Sequence, residues 1–171
     1  MAGGMGKVSG CPAAVAAAAA GPNSGPNSGP NRAPLPASKA AGAPLRVLYI
    51  DDNPVNTLLM AAMFERLPGL ALQCECDPLA GLALALADPP ALLLVDIQMP
   101  GIDGFEVLRR VRAHPATQAV PAMAVSANAM PQDLARGRAA GFVDYLTKPL
   151  ELQRLQAALV AVLPGWHALP N

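Results

Sequence analysis

Three aspartates, a serine and a lysine stand where their side chains could share one task. Asp51 and Asp52 follow the apolar run "LRVLYI", Asp96 ends "ALLLV", Ser126 ends "VPAMAVS", and Lys148-Pro149 follows "FVDYLT". Each alone has a plain explanation: an aspartate or serine after a strand caps a helix or loop, and a surface lysine is solvated. Brought to one rim, they would place three carboxylates, a hydroxyl and an ammonium together. Carboxylates a few ångströms apart repel, which raises a pKa or demands a cation. Mg2+ meets that demand with one or two carboxylates, other oxygens and waters. A lysine and a hydroxyl facing the same point would hold the oxygens of an incoming anion. Mg2+, a lysine and a hydroxyl around a carboxylate describe a phosphoryl-transfer site, where positioning and charge neutralisation supply most of the catalysis.

For these residues to meet, the segments that carry them must lie side by side. From Pro44 onward the pattern alternates. Strands are expected over 45–50, 70–76, 91–95, 120–126 and 142–147. Helices are expected from Pro54 to about Pro68-Gly69 and over 78–87, 104–112, about 130–140 and 150–163. Asp52 or Asn53 would cap the first helix, with Pro54 in its first turn. Five strands alternating with five helices imply an α/β fold, a five-stranded parallel sheet, doubly wound in (βα)5 order. The run "ALLLV" suits a strand covered on both faces. In such sheets ligands sit beyond the carboxyl ends of the strands, where all five residues fall.

Residues 1–43 differ sharply from the rest. They contain no acidic or aromatic residue and include "GPNSGPNSGPN" at 21–31. Such a segment buries too little apolar surface to offset its ordering entropy, so it is expected to be a disordered low-complexity tail. Residues 44–164 form the expected folded domain, and 165–171 a short C-terminal tail. Of the 171 residues, 53% are hydrophobic and 14% charged, enough apolar material for a sizeable core. The net charge of zero gives no electrostatic reason to expect nucleic-acid or membrane binding. No run approaches the length of a membrane helix. Cys11, Cys74 and Cys76 form neither a zinc motif nor an even disulfide set, which suggests a reducing, cytoplasmic setting. His114 and His167 fall in a loop and a tail, outside any helix that could present a phosphohistidine. Trp166 lies outside the core pattern, where it would cap the last helix or meet a partner.

The blocks "YIDDNPVN", "LLLVDIQMPGIDGFEVLRR", "VSANAM" and "GFVDYLTKPLE" occur in this order. Residues 44–163 resemble the receiver domain of two-component response regulators, with the flavodoxin-like, CheY-like fold, and the wording of the motifs is similar to receivers of hybrid histidine kinases. The resemblance implies that Asp96 is the phosphoacceptor, attacking a phosphohistidine on a histidine kinase or histidine phosphotransfer protein. It implies Mg2+ bound by Asp52, Asp96 and the backbone carbonyl of Gln98, with Asp51 acting largely through water. Ser126 and Lys148 would each hold a phosphoryl oxygen, and Tyr145 would be the aromatic switch residue. It also implies a cis peptide at Lys148-Pro149, which turns the ammonium back into the site. Ser126 stands where threonine is commoner in the family, keeping the hydroxyl and losing a methyl.

Other phosphate chemistries fit less well. A dehalogenase-type phosphatase would carry D-x-D after the first strand, and here Asn53 stands two residues after Asp51. A flavin or dinucleotide site would need a phosphate-cradling loop, and "DDNPVN" repels phosphate. The main alternative is a receiver-like docking scaffold that works without phosphorylation. The expectation is a single-domain response regulator that is not an enzyme beyond its own phosphorylation and dephosphorylation, and that signals to an unidentified downstream protein by contact.

Overall fold

The computed structural model describes residues 43–128 and 130–167, so the low-complexity segment and Cys11 lie outside the described residues. The elements follow in strict alternation: β1 (Leu45–Ile50), α1 (Pro54–Phe64), β2 (Leu70–Glu75), α2 (Pro78–Ala87), β3 (Leu92–Asp96), α3 (Gly104–Ala113), β4 (Ala122–Ser126), α4 (Pro131–Ala140), β5 (Asp144–Thr147) and α5 (Leu152–Val162). The strands form one parallel sheet in the order β2-β1-β3-β4-β5. Parallel neighbours need crossover connections, and the helices supply them. The chain steps outward from β1 to β2, then returns past β1 to β3. That reversal opens a crevice beyond the ends of β1 and β3, where Asp51, Asp52 and Asp96 stand.

Alternation along the strands splits the core in two. Val47, Tyr49, Leu92, Leu94, Met123 and Val125 face α1 and α5, meeting Met60, Phe64, Leu155 and Leu159. Leu48, Ile50, Leu93, Val95, Ala122 and Ala124 face the other way, toward Leu82, Ala85, Val107, Leu108, Val111 and Phe142. Every residue of β3 and β4 is buried. Each large aliphatic side chain so buried contributes about 1.5–3 kcal/mol, enough to hold the rim residues at the strand ends in place.

The helix starts show how tightly each helix is pinned. The Asn53 carboxamide accepts from the Val55 N–H, Asp77 from Leu79 and Ala80, and Asp103 from Glu106, while α4 and α5 begin without a side-chain cap. Of α4, only Gly137 is buried.

One expectation is corrected. Trp166, placed outside the core pattern on sequence grounds, is 6% exposed and packs in the core beneath α1 and α5. Its indole Nε1 donates to the Pro68 carbonyl at 2.9 Å, tying the segment after α5 to the turn before β2. The apolar periodicity of α5 ends at Leu163, so a helical pattern could not register a tryptophan carried back by the turn at Gly165 (φ +80°). His114 and His167 are exposed, as expected.

Candidate functional site

β1, β3 and β5 deliver their carboxyl ends to one place. Lys148 Nζ lies 2.8 Å from Asp51 Oδ2 and 2.7 Å from Asp96 Oδ2, bridging residues 97 and 52 positions apart in sequence. The Lys148-Pro149 peptide is cis, as expected from the resemblance. The Lys148 N–H donates to the Ser126 carbonyl at 2.8 Å, tying the end of β5 to the end of β4.

Asp51 is fully buried and saturated with donors. The Asn53 N–H reaches its Oδ1 at 2.9 Å, and the Asn56 carboxamide reaches both oxygens at 3.0 and 3.1 Å. The Tyr49 hydroxyl donates to Oδ2 beside Lys148. Burial pushes the Asp51 carboxyl up, but Lys148, Tyr49, Asn56 and the Asn53 amide outweigh it and hold it below the usual carboxylate range. Tyr49 is pushed far up, by burial first and then by its bond to Asp51, so it stays a donor.

Asp96 has fewer partners. Besides Lys148 it accepts, among the described residues, only the Gln98 N–H, at 3.1 Å. Burial here wins over Lys148 and the Gln98 amide, helped by the nearby Asp51 charge, and the Asp96 carboxyl is raised. Lys148 shows the reverse balance. Burial pulls its ammonium down, while Asp51 and Asp96 pull it up further and keep it charged. Asp96 is thus the carboxylate with lone pairs to spare and the more basic of the two.

One donor oxygen from each of Asp51, Asp52 and Asp96 lies within 4.8 Å of the others, with Asp52 the least buried. Opposite oxygens of an Mg2+ shell stand about 4.2 Å apart, from a metal–oxygen distance of about 2.1 Å. The three therefore fit around one such ion if one acts through water. Asp51, its oxygens already taken by four donors, is the one suited to that indirect role.

Gly104 lets α3 start hard against this site. A Cβ there would stand 2.5 Å from the Asp96 carbonyl oxygen, which no side chain tolerates, so only glycine allows the close approach. Ser126 is buried at the end of β4, where its Oγ accepts from the Asn128 N–H at 3.1 Å. Ser126, Gln98, Met99, Asp103, Asn128, Arg136 and Tyr145 are among the residues lining an open cleft of about 300 Å³ beside the carboxylates. Tyr145 is half-buried, its ring against α4. The structure thus joins Asp51, Asp52, Asp96 and Lys148 in one cluster and sets Ser126, Gln98 and Tyr145 around the adjoining cleft. Among the described residues, neither Ser126 nor Tyr145 hydrogen-bonds to Asp51, Asp52 or Asp96.

Two participants escaped the sequence reading. Tyr49 and Asn56 both hold Asp51. Tyr49 lies two residues before Asp51 on a strand and Asn56 lies in the first turn of the following helix. A strand period of two and a helix start facing the rim could have flagged them.

Comparison with known proteins agrees with this geometry. Residues 47–160 match the response regulator receiver domain family. The chain is 35% identical over 120 residues to protein PilH of Pseudomonas aeruginosa, covering 70% of this chain and 98% of that protein. It is 34% identical over 131 residues to the signal transduction histidine-protein kinase BarA of Escherichia coli, where the match covers 77% of this chain but only 14% of that protein. Among solved structures, the Vibrio cholerae chemotaxis protein CheY4 superposes with a TM-score of 0.66 at 25% identity, over 71% of this chain and all of that one. The receiver domain of a Pseudomonas aeruginosa sensor histidine kinase, solved with magnesium in its active-site cleft, gives 0.65 at 31% identity, over 71% of this chain and 98% of that one. With sheet order, rim chemistry and family match in agreement, the chain belongs to the response regulator receiver domain family.

Proposed function

We propose that this receiver accepts a phosphoryl group on Asp96 from a phosphohistidine of a histidine kinase or phosphotransfer protein, in the cytoplasm, and reports it by protein contact. The observation that carries the reading is the asymmetry between the two buried carboxylates. Asp51 is held ionised by four donors, while Asp96, raised and sparsely bonded, keeps a lone pair for attack. In the reaction an Asp96 carboxylate oxygen bonds to phosphorus, the phosphorus–nitrogen bond breaks, and its electron pair returns to the imidazole. Mg2+ held by Asp52, Asp96 and the Gln98 carbonyl, with Asp51 through water, would neutralise the phosphoryl oxygens. Lys148 Nζ, 2.7 Å from Asp96, is within reach of a phosphoryl oxygen on that carboxylate. Ser126 would donate to another, and Tyr145 would follow Ser126 toward it.

The donor's approach is suggested by the surface around the rim. Val55, Leu58 and Leu59 on α1 are 69%, 60% and 44% exposed, an apolar strip on the helix that leaves the Asp51-Asp52 corner. Such a strip suits the apolar face of a partner helix. Residues 44–164 would carry the reaction, and a chain starting at Pro44 should retain it.

Incubation with acetyl phosphate and Mg2+ should add one phosphoryl mass, and Asp96→Asn should stay unlabelled. Equal labelling of that variant would sink the assignment, and absence of labelling in the native chain would favour the docking scaffold. Leu58→Glu should abolish transfer from a phosphohistidine protein while leaving acetyl phosphate labelling intact. Loss of both would show that the substitution disturbs the site and not the docking.

A further inference from the structure

Gly137 stands in the middle of α4, where glycine has the lowest helix propensity of any residue but proline. It is also the only buried residue of that helix. A Cβ on Gly137 would lie 3.0 Å from Cδ2 and 3.2 Å from Cε2 of Tyr145. Carbon atoms in good contact stand about 3.5–4.0 Å apart, so the edge of the ring rests on bare helix backbone, and a methyl group there would require the ring to give way.

Tyr145 also divides two cavities. On one side is the open cleft of about 300 Å³ that it shares with Ser126, Asn128 and Gln98. On the other is a more enclosed slot of about 120 Å³, lined by Leu134, Arg138, Phe142, Asp144 and Arg154. The ring occupies the boundary, and the larger free space lies on the Ser126 side.

We propose that Gly137 is a positioning residue for Tyr145: its missing side chain forms a seat that holds the ring against α4 and away from Ser126. The seat joins ring and helix into one mechanical unit. A ring that swings toward Ser126 uncovers Gly137, the one buried residue of α4, and α4 has no side-chain cap at Met130 to compensate. The absence of one methyl group thereby sets the resting balance between the two ring orientations. Filling the seat should move the ring toward the roomier cleft with no phosphoryl group present. The inference rests on the reading of Tyr145 as the residue that responds to phosphorylation.

The test compares the native chain, Gly137→Ala, Tyr145→Ala and the double variant, by NMR of the Tyr145 ring and by amide exchange across α4. In Gly137→Ala without phosphodonor, the ring resonances should shift in the direction that beryllofluoride with Mg2+ produces in the native chain. Protection of the α4 amides should fall in Gly137→Ala, whereas in the Tyr145→Ala background the same substitution should raise it, as expected for alanine replacing glycine in a helix. Labelling of Asp96 by acetyl phosphate should persist in Gly137→Ala. Unmoved ring resonances, a shift away from the beryllofluoride direction, or equal gains of α4 protection in both backgrounds would overturn the seat. A different failure belongs to the functional reading alone. If beryllofluoride shifts the Gln98 amide but not the native Tyr145 ring, Tyr145 is not the switch, and the seat is then decided by ring displacement and α4 protection.

Discussion

At the carboxylate rim, Asp51, Asp96 and Lys148 hold one another through short charged hydrogen bonds, whereas α4 buries a single residue, Gly137. The rim is built from the ends of β1, β3 and β5, strands locked by the sheet and by packing on both faces. The helix lies on rings: Tyr145 against the backbone at Gly137, and Phe105 with the Arg136 guanidinium 4.1 Å from its centre. Phe105 in turn meets Phe142 edge-on, with centroids 5.8 Å apart. Chemistry needs a rigid site, because a misplaced nucleophile loses its alignment. A signal needs an element with a small energy gap between two arrangements. The two regions divide these demands, and the cleft lined by Ser126, Arg136 and Tyr145 adjoins both.

The sharpest way to break this contrast is to remove the cation at the rim. Lys148→Ala leaves Asp51 and Asp96 buried and unpaired. Without divalent ions we expect a loss of about 3 kcal/mol, the low end for breaking a buried pair, since Lys148 keeps 19% exposure. Mg2+ should restore part of it. Denaturant unfolding with and without Mg2+ measures both, and an unchanged midpoint in metal-free buffer would mean the rim is not rigidly coupled.

A smaller effect is expected at the other region. Tyr145→Ala removes a half-buried ring, so it should cost about 1 kcal/mol, well below the 3–5 typical of a fully buried aromatic. Amide protection should fall in α4 and stay unchanged at β1 and β3, and Asp96 labelling should persist. Loss of protection spread over the sheet would erase the distinction between the regions.

The smallest effect tests the surface of α3, which packs between them. Glu106, held by Arg109 at 2.7 Å and Arg110 at 2.7 Å, is pulled from 4.5 down to about 2, chiefly by those hydrogen bonds. A carboxylate whose folded value is depressed contributes stability that is fully present above its unfolded value. That contribution is lost as pH falls from about 4.5 through about 2. Glu106→Gln should therefore flatten the acid limb of the unfolding curve slightly in that window and leave neutral pH almost untouched, because exposed pairs contribute little. A larger change at pH 7 than at pH 3 would contradict the assignment.

Much of the molecule was legible from residue order. The five strands and five helices fall within a few residues of their expected places, because apolar period and proline or glycine punctuation are local signals. The ends of those strands single out Asp51, Asp52, Asp96, Ser126 and Lys148 from the sequence alone, since a parallel sheet aligns all its carboxyl ends. Other features depend on residues far apart in the chain meeting in space. The sequence could not show that Lys148 would bridge Asp51 and Asp96, or that Tyr49 and Asn56 would saturate Asp51 and leave Asp96 the more basic acid. Nor could it show Trp166 folding back onto Pro68, or a ring resting on Gly137. Local pattern determines which face of an element is apolar. Which polar atoms share a hydrogen bond, and which glycine a neighbour needs empty, follows only from the packing of elements far apart in the chain, as with the Trp166–Pro68 bond across 98 residues.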